Sequence, residues 1–421
     1  MTLLLDVWEL WLMIFRAIPI LFSDVRYLLI LLFILLMVNN QYRKVHALEA
    51  SMFQLQRGAP WRDTLQSFGY GLIGGLLASV AFLFLGVSLS QTGILYLWGT
   101  AAALLLVHPR FMCFAYAGGI VSLVSLVFGA PQIHVPAVMA LVALLHMVEA
   151  VLIWMHGGQR PTPIYLKHDS GGVVGGFSLQ RVWPLPFVAL IGMVFADASI
   201  GFETMAMPDW WPLIQPTTPV PMEHSMIYLT FPVIAALGYS DVAVTSSPQT
   251  KARASAALLF AFSVGLLSLA IASMYVPLAA WAAALFSPLA HEWVIHKGQK
   301  REREGVPLFT LDEGVMVLDV RPHSPAEAMG LRMGDIITSV NDRPVATPKA
   351  LMGEMQPWLV NPDFHVKNVL EGMAARTVSY RGTIPPIGII LAPHRGQGVF
   401  MEFRDGLIPS WIRRLFARRT P

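Results

Sequence analysis

Apolar residues in this chain fall in long unbroken runs, with little of the 3.6-residue striping or strict alternation that marks half-buried helices and strands. Runs occupy 18–38, 67–87, 93–107, 111–128, 135–154, 183–199, 226–238, 255–275 and 276–290. Crossing a bilayer as a helix takes about 20 mostly apolar residues. The pattern therefore predicts about eight membrane-spanning helices, plus or minus one. The first run contains Asp24 and Arg26, so 3–21 reads either as part of a hairpin or as a separate interfacial helix. The last is short and opens at Pro277, which suits a tilted or re-entrant segment.

The connectors differ in character. Segment 39–66 reads as an amphipathic helix pair broken near Gly58-Ala59-Pro60. Segment 156–182, with Gly171, Gly172, Gly175 and Gly176, reads as a flexible loop. Segment 202–224 holds five prolines and the pair Trp210-Trp211, which suits the headgroup zone.

Composition agrees. The 421 residues are 55% hydrophobic and 13% charged, with a mean hydropathy of +0.58; soluble domains carry roughly 25% charged residues. Asp6, Glu9 and Arg16 interrupt the first apolar stretch, against a cleavable signal peptide. The single cysteine, Cys113, lies in an apolar run and supports no disulfide framework. Through Ala290 the chain carries 12 Lys+Arg and 12 Asp+Glu; from His291 onward it carries 17 and 14. A neutral membrane body (1–290) thus precedes a mildly basic tail, through a juxtamembrane linker at 291–306. Arg43, Lys44, Arg57, Arg62, Arg160, Lys167, Arg181, Lys251 and Arg253 lie in alternate connectors, whereas 202–224 has no Lys or Arg. Basic loops stay inside, which puts the tail in the cytoplasm.

The tail has the most specific pattern: EGVMVLDVRPHSPAEAMGLRMGDIITSVNDRPV, residues 313–345. A strand follows Gly314, a short helix ends at Gly330 as a C′ glycine would end it, a second strand begins at Gly334-Asp335, and Asn341-Asp342 marks a tight turn. A helix near 348–358 follows, with Leu351 and Met355 one turn apart, then strands near 365–370, 377–380, 388–391 and 399–403. Gly314-Val315, Ser324-Pro325-Ala326, Gly330-Leu331, Gly334-Asp335 and Val340-Asn341 resemble a bacterial PDZ domain, which predicts a PDZ-like β-barrel of α+β type over 307–405. That resemblance implies peptide binding by strand addition. Backbone at Gly314, Val315 and Met316 would receive a chain terminus, Val317 would continue the edge, and Leu351 and Met355 would form the opposite wall. The last segment, 406–421, reads as a basic amphipathic helix on anionic lipid, with Trp411, Arg413, Arg414 and Arg418 at the surface.

Catalytic candidates are sparse. His291-Glu292 and His296 imitate a zinc-protease HExxH, but the histidines are five residues apart. At about 100° per residue they leave one helical face. The intramembrane proteases that combine this motif with a PDZ domain also carry a later membrane-embedded Asp-Gly ligand motif, and no apolar run follows the PDZ-like stretch here. His146 and Glu149 share a face of one apolar run and suggest a buried hydrogen-bonded pair; Asp197 and Asp241 read as interfacial. No P-loop, GxSxG elbow or CxxC is present. The expectation is no enzymatic activity, no metal and no cofactor.

A multi-span body followed by one PDZ domain without a protease motif resembles the MinJ-type division-topology proteins of Gram-positive rods. The resemblance implies a cell-membrane adaptor at septum and poles. Its partners would be peptide segments or C-termini of proteins, among them DivIVA and the MinD/MinC division inhibitor, with anionic lipids and no nucleic acid. The competing readings are an intramembrane protease-like protein and a PDZ-regulated transporter.

Overall fold

The computed structural model describes residues 24–393, apart from 170–171, 197–206, 208–209, 217–219, 312–313, 356–358 and 384–385, with scattered positions between 8 and 22. The strand expected at 399–403 and the helix expected at 406–421, with Trp411, Arg413, Arg414 and Arg418, lie outside the described residues.

The body comprises α1 (Val25–Phe53), α2 (Pro60–Leu85), α3 (Ile94–Val107), α4 (Phe114–Phe128), α5 (Val135–Leu152, continued by a π-turn to Gly157), α6 (Pro248–Ala272) and α7 (Pro277–Glu304). Among the described residues five helices, α1, α2, α5, α6 and α7, are long and apolar enough to cross a membrane. At 14 and 15 residues, α3 and α4 are too short to cross unaided. The break expected near Gly58 is present: Gln54 takes a left-handed cap and Pro60 opens α2. Residues 291–306, expected as a linker, are mostly the last turns of α7.

Two expected spans are not helices. Residues 183–199 and 226–238 fall largely in two long strands, β2 (Val173–Ala196) and β3 (His224–Ala243), paired antiparallel from Phe177↔Ala243 to Ala196↔His224. The presumed flexible loop supplies β1 (Thr162–Lys167) and the first third of β2. β2 is covered on both faces and so is apolar nearly throughout, and β3 is apolar along its middle, so neither pattern can be told from a membrane helix. The edge of β2 that faces away from β3 lies along α2. There the N–H groups of Val182, Val188 and Gly192 donate to the hydroxyls of Tyr42, Ser79 and Ser88. Pro184 and Pro186 fall on the same edge by strand alternation, where a missing N–H costs nothing. Changing Ser79 to alanine strands the Val188 N–H. We expect a loss of about 1–3 kcal/mol, measured as lowered thermal stability of the detergent-solubilised chain.

The basic connectors converge on one end: Arg160 pairs with Asp63, Gly158 packs on Gln249, and Glu302 accepts the N–H groups of Val244 and Thr245. Asp241 lies in a largely buried ionic cluster, 3.3 Å from Lys251 Nζ; that ammonium also lies 3.6 Å from Glu302.

The tail folds around β4 (Val315–Val320), α8 (Pro325–Met329), β5 (Asp335–Val340), β6 (Arg343–Pro344), α9 (Pro348–Glu354), β7 (Asp363–Asn368), β8 (Ala374–Ser379) and β9 (Ile389–Leu391). The sheet order is β8-β7-β5-β4-β9, with β6 beside β5. Ser324 caps α8, Gly330 ends it at φ 82°, and Asn341-Asp342 turn the chain at positive φ. Among the described residues this sheet is open at β8 and β9 and does not close into a barrel; buried Asp335 ties β5 to β8 and β7, bonded to Arg376 (2.5 Å) and Asn368 (2.8 Å).

Candidate functional site: the sheet edge of the tail and its seat on the body

Alternation along β4 sends its side chains to two different cores. Val315 and Val317 join Leu331, Ile337, Leu351 and Phe364 inside the tail. Met316 and Leu318 point the other way and join the body's core with Phe309, Phe177, Ile390 and Ala392. The tail is therefore seated on the membrane body through one face of its own sheet.

Polar contacts ring this seat. Phe309 bridges to Gly175, whose N–H donates to the Phe309 carbonyl at 3.0 Å. A Cβ on Gly175 would stand 2.7 Å from that oxygen, so glycine is required for the approach. Arg57, in the turn between α1 and α2, pairs with Asp319 and lies 3.7 Å from Glu49. Arg321 donates to the Phe53 carbonyl, and the Tyr165 hydroxyl donates to the Leu391 carbonyl at 2.7 Å. Burial pushes the Asp319 carboxyl upward, against the opposing pull of Arg57.

The expected guest-strand edge on β4 is not free. Val315 and Met316 pair with Ile337 and Ile336 of β5; Val317, Asp319 and Val320 pair with β9. The Gly314 N–H donates to the Ala346 carbonyl. The terminal strand of the order is β9, so strand addition on this side of the sheet would fall to Ile389–Leu391, beside the Leu391 carbonyl already taken by Tyr165. Leu351, on α9, is buried, and Met355, Ile387, Ile389 and Leu391 pack partly exposed around the same cluster. Met355, Ile387 and Ile389 are thus partly exposed apolar residues packed on the cluster that contains buried Leu351. Gly314, Val315, Met316 and Val317 lie inside. The sequence signal for β9 was one short apolar stretch, Gly388–Leu391, and strand order is not a local property.

The other ionisable candidates separate. His146 does not bond to Glu149, since its Nδ1 meets the Val142 carbonyl (2.7 Å) and its Nε2 the Cys113 sulfur (3.0 Å). His291 is buried and His296 exposed, as their five-residue spacing requires. Glu292 accepts a hydrogen bond from Tyr116 (2.6 Å) and pairs with Arg110.

A tail of this topology, with a capped SPA helix, is a PDZ domain, and residues 316–356 match the PDZ domain family. The protein is thus a PDZ-containing membrane protein with several span-capable helices. Along 318 residues it is 28% identical to the cell division topological determinant MinJ of Bacillus subtilis (strain 168), an alignment covering 70% of this chain and 75% of that protein. A match of that length cannot be confined to the PDZ domain and takes in much of the body.

Proposed function

We propose that this protein is a membrane-anchored adaptor of division-site placement, with no chemistry of its own. The body crosses the cell membrane several times. The PDZ domain sits on the cytoplasmic side, where basic connectors are retained, and takes an extended peptide segment or C-terminus from a partner. The observation that carries this reading is a PDZ sheet edge in a chain similar to a division-topology determinant over most of its length. Partners of the kind the resemblance implies are DivIVA and the MinD/MinC inhibitor. Strand addition along β9 supplies backbone hydrogen bonds, and the Leu351–Met355 wall selects side chains. One peptide contact of this kind is worth about −8 kcal/mol, a micromolar affinity, which suits reversible recruitment.

The full chain carrying a fluorescent tag and produced in B. subtilis is expected at septa and poles. Uniform membrane fluorescence through the division cycle would count against the proposal. Val315 and Leu351 are too deeply buried to serve as groove variants; Met355 and Ile389 reach the margin without filling the core.

A further inference from the structure

We propose that Cys113, His146 and His291 form a zinc-binding site inside the helical body. The three residues lie far apart in sequence on three elements: Cys113 caps α4, His146 sits mid-way along α5, and His291 lies on α7 just past Pro288. Their ligand atoms all fall within 4.8 Å of one another. The Cys113 sulfur is 3.0 Å from His146 Nε2 and 3.8 Å from His291 Nε2. Tetrahedral zinc, with Zn–S about 2.3 Å and Zn–N about 2.0–2.1 Å, sets sulfur and nitrogen about 3.6 Å apart, between the two observed values.

The surroundings fix the ligands. Against the Val142 carbonyl, which can only accept, neutral His146 must carry its proton on Nδ1. That turns the Nε2 lone pair toward the sulfur, the orientation typical of metal-bound histidine. His291 is more than nine-tenths buried. Its Nε2 lies 3.8 Å from the sulfur, so Nε2 would be the ligand and Nδ1, without a hydrogen-bond partner among the described residues, would carry the proton. An imidazole held so far from water is costly unless its polar atoms are engaged. Helix α7 is brought to this point by a close crossing with α4. A Cβ on Gly119 would lie 2.5 Å from Pro288 Cδ, and the Ser287 hydroxyl donates to the Ala115 carbonyl at 2.8 Å. The Tyr116 and Phe262 rings close over His291 edge-on.

One thiolate and two imidazoles are a borderline-soft set that suits zinc. Binding would replace the Cys113 S–H bond with an S–Zn bond and release the proton to solvent. A zinc ion there would tie α4, α5 and α7 together.

The test uses the full chain purified in detergent, exposed to zinc and cleared with a weak chelator, with metal measured by mass spectrometry. About one zinc per wild-type chain is expected. Cys113→Ser and His291→Gln are expected to lower affinity about tenfold or more, and His296→Ala to retain the metal. Cobalt in place of zinc is expected to give thiolate charge-transfer absorption that is absent from Cys113→Ser. A third readout needs no variant: zinc is expected to slow maleimide labelling of wild-type Cys113, and EDTA to restore it. Metal-free wild type with labelling indifferent to zinc would overturn the proposal. So would full zinc content in both ligand variants.

Discussion

Replacing Arg57 with alanine is expected to release the PDZ domain from the membrane body, costing the seated arrangement about 3–5 kcal/mol. Arg57 serves two carboxylates at once, buried Glu49 and partly buried Asp319. Glu49 would keep only its bond from Thr162, and Asp319 would keep only its local bond from the Val320 N–H. Removing one partner of a buried pair is worse than removing both, because the remaining charge has neither water nor counter-ion. Asp319→Asn is therefore expected to cost much less than Arg57→Ala. The pH dependence follows in sign. Burial raises the Asp319 carboxyl, so the folded, seated chain takes up this proton more readily than the unfolded one. Its ionised form weighs against the seated state above the folded pKa, and that weight fades as pH falls through it. Acidification is thus expected to restore part of the seating lost in Arg57→Ala. Hydrogen exchange of 315–320 and 53–57 reads both effects, since each stretch loses its cover on release.

The second large effect belongs to α2. Gly71 and Gly75 press their Cα atoms on β2, and a Cβ on either would stand 1.9 Å from a carbonyl oxygen, of Pro184 and Pro186 respectively. Backbone cannot move aside as a flexible side chain does. Gly75→Leu is expected to cost about 3 kcal/mol or more and to yield aggregated or degraded chain in membranes. Gly69, on the same helix with open space around its Cα, is the control. Gly69→Ala is expected to be neutral or stabilising by up to about 1 kcal/mol, from helix propensity alone. Thermal unfolding in detergent separates the two; equal losses would refute the close α2–β2 seat.

What could be read from the sequence was mostly local. The tail announced itself because turn chemistry is fixed residue by residue: Ser324 and Pro325 open a helix, Gly330 closes it, and Asn341-Asp342 tolerate positive φ. The helices α2, α5 and α6 followed from apolar length. The strands β2 and β3 did not: β2 is buried on both faces along most of its length, and β3, though partly exposed, is apolar on both faces along its middle, so neither shows the two-residue alternation that would betray it. In hindsight, Pro184 and Pro186 at alternate positions, with Pro232 opposite Val188, were the available sign. Strand order hid the peptide edge: β4 carries the family's motif, yet it lies between β5 and β9. The Cys113–His146–His291 cluster was invisible for a similar reason, since its members are separated by 33 and 145 residues and meet only through the crossing of α4 and α7.

The most direct measurement is co-purification of the full chain from B. subtilis membranes, wild type beside a Met355→Asp, Ile389→Asp variant. Both side chains sit at the margin of the PDZ cluster, so the variant keeps its fold and its seat on the body. An adaptor that works through this edge loses its division-site partners in the variant and keeps its membrane insertion. Equal recovery of those proteins by both chains, or recovery of none by wild type, would contradict recruitment through the PDZ domain.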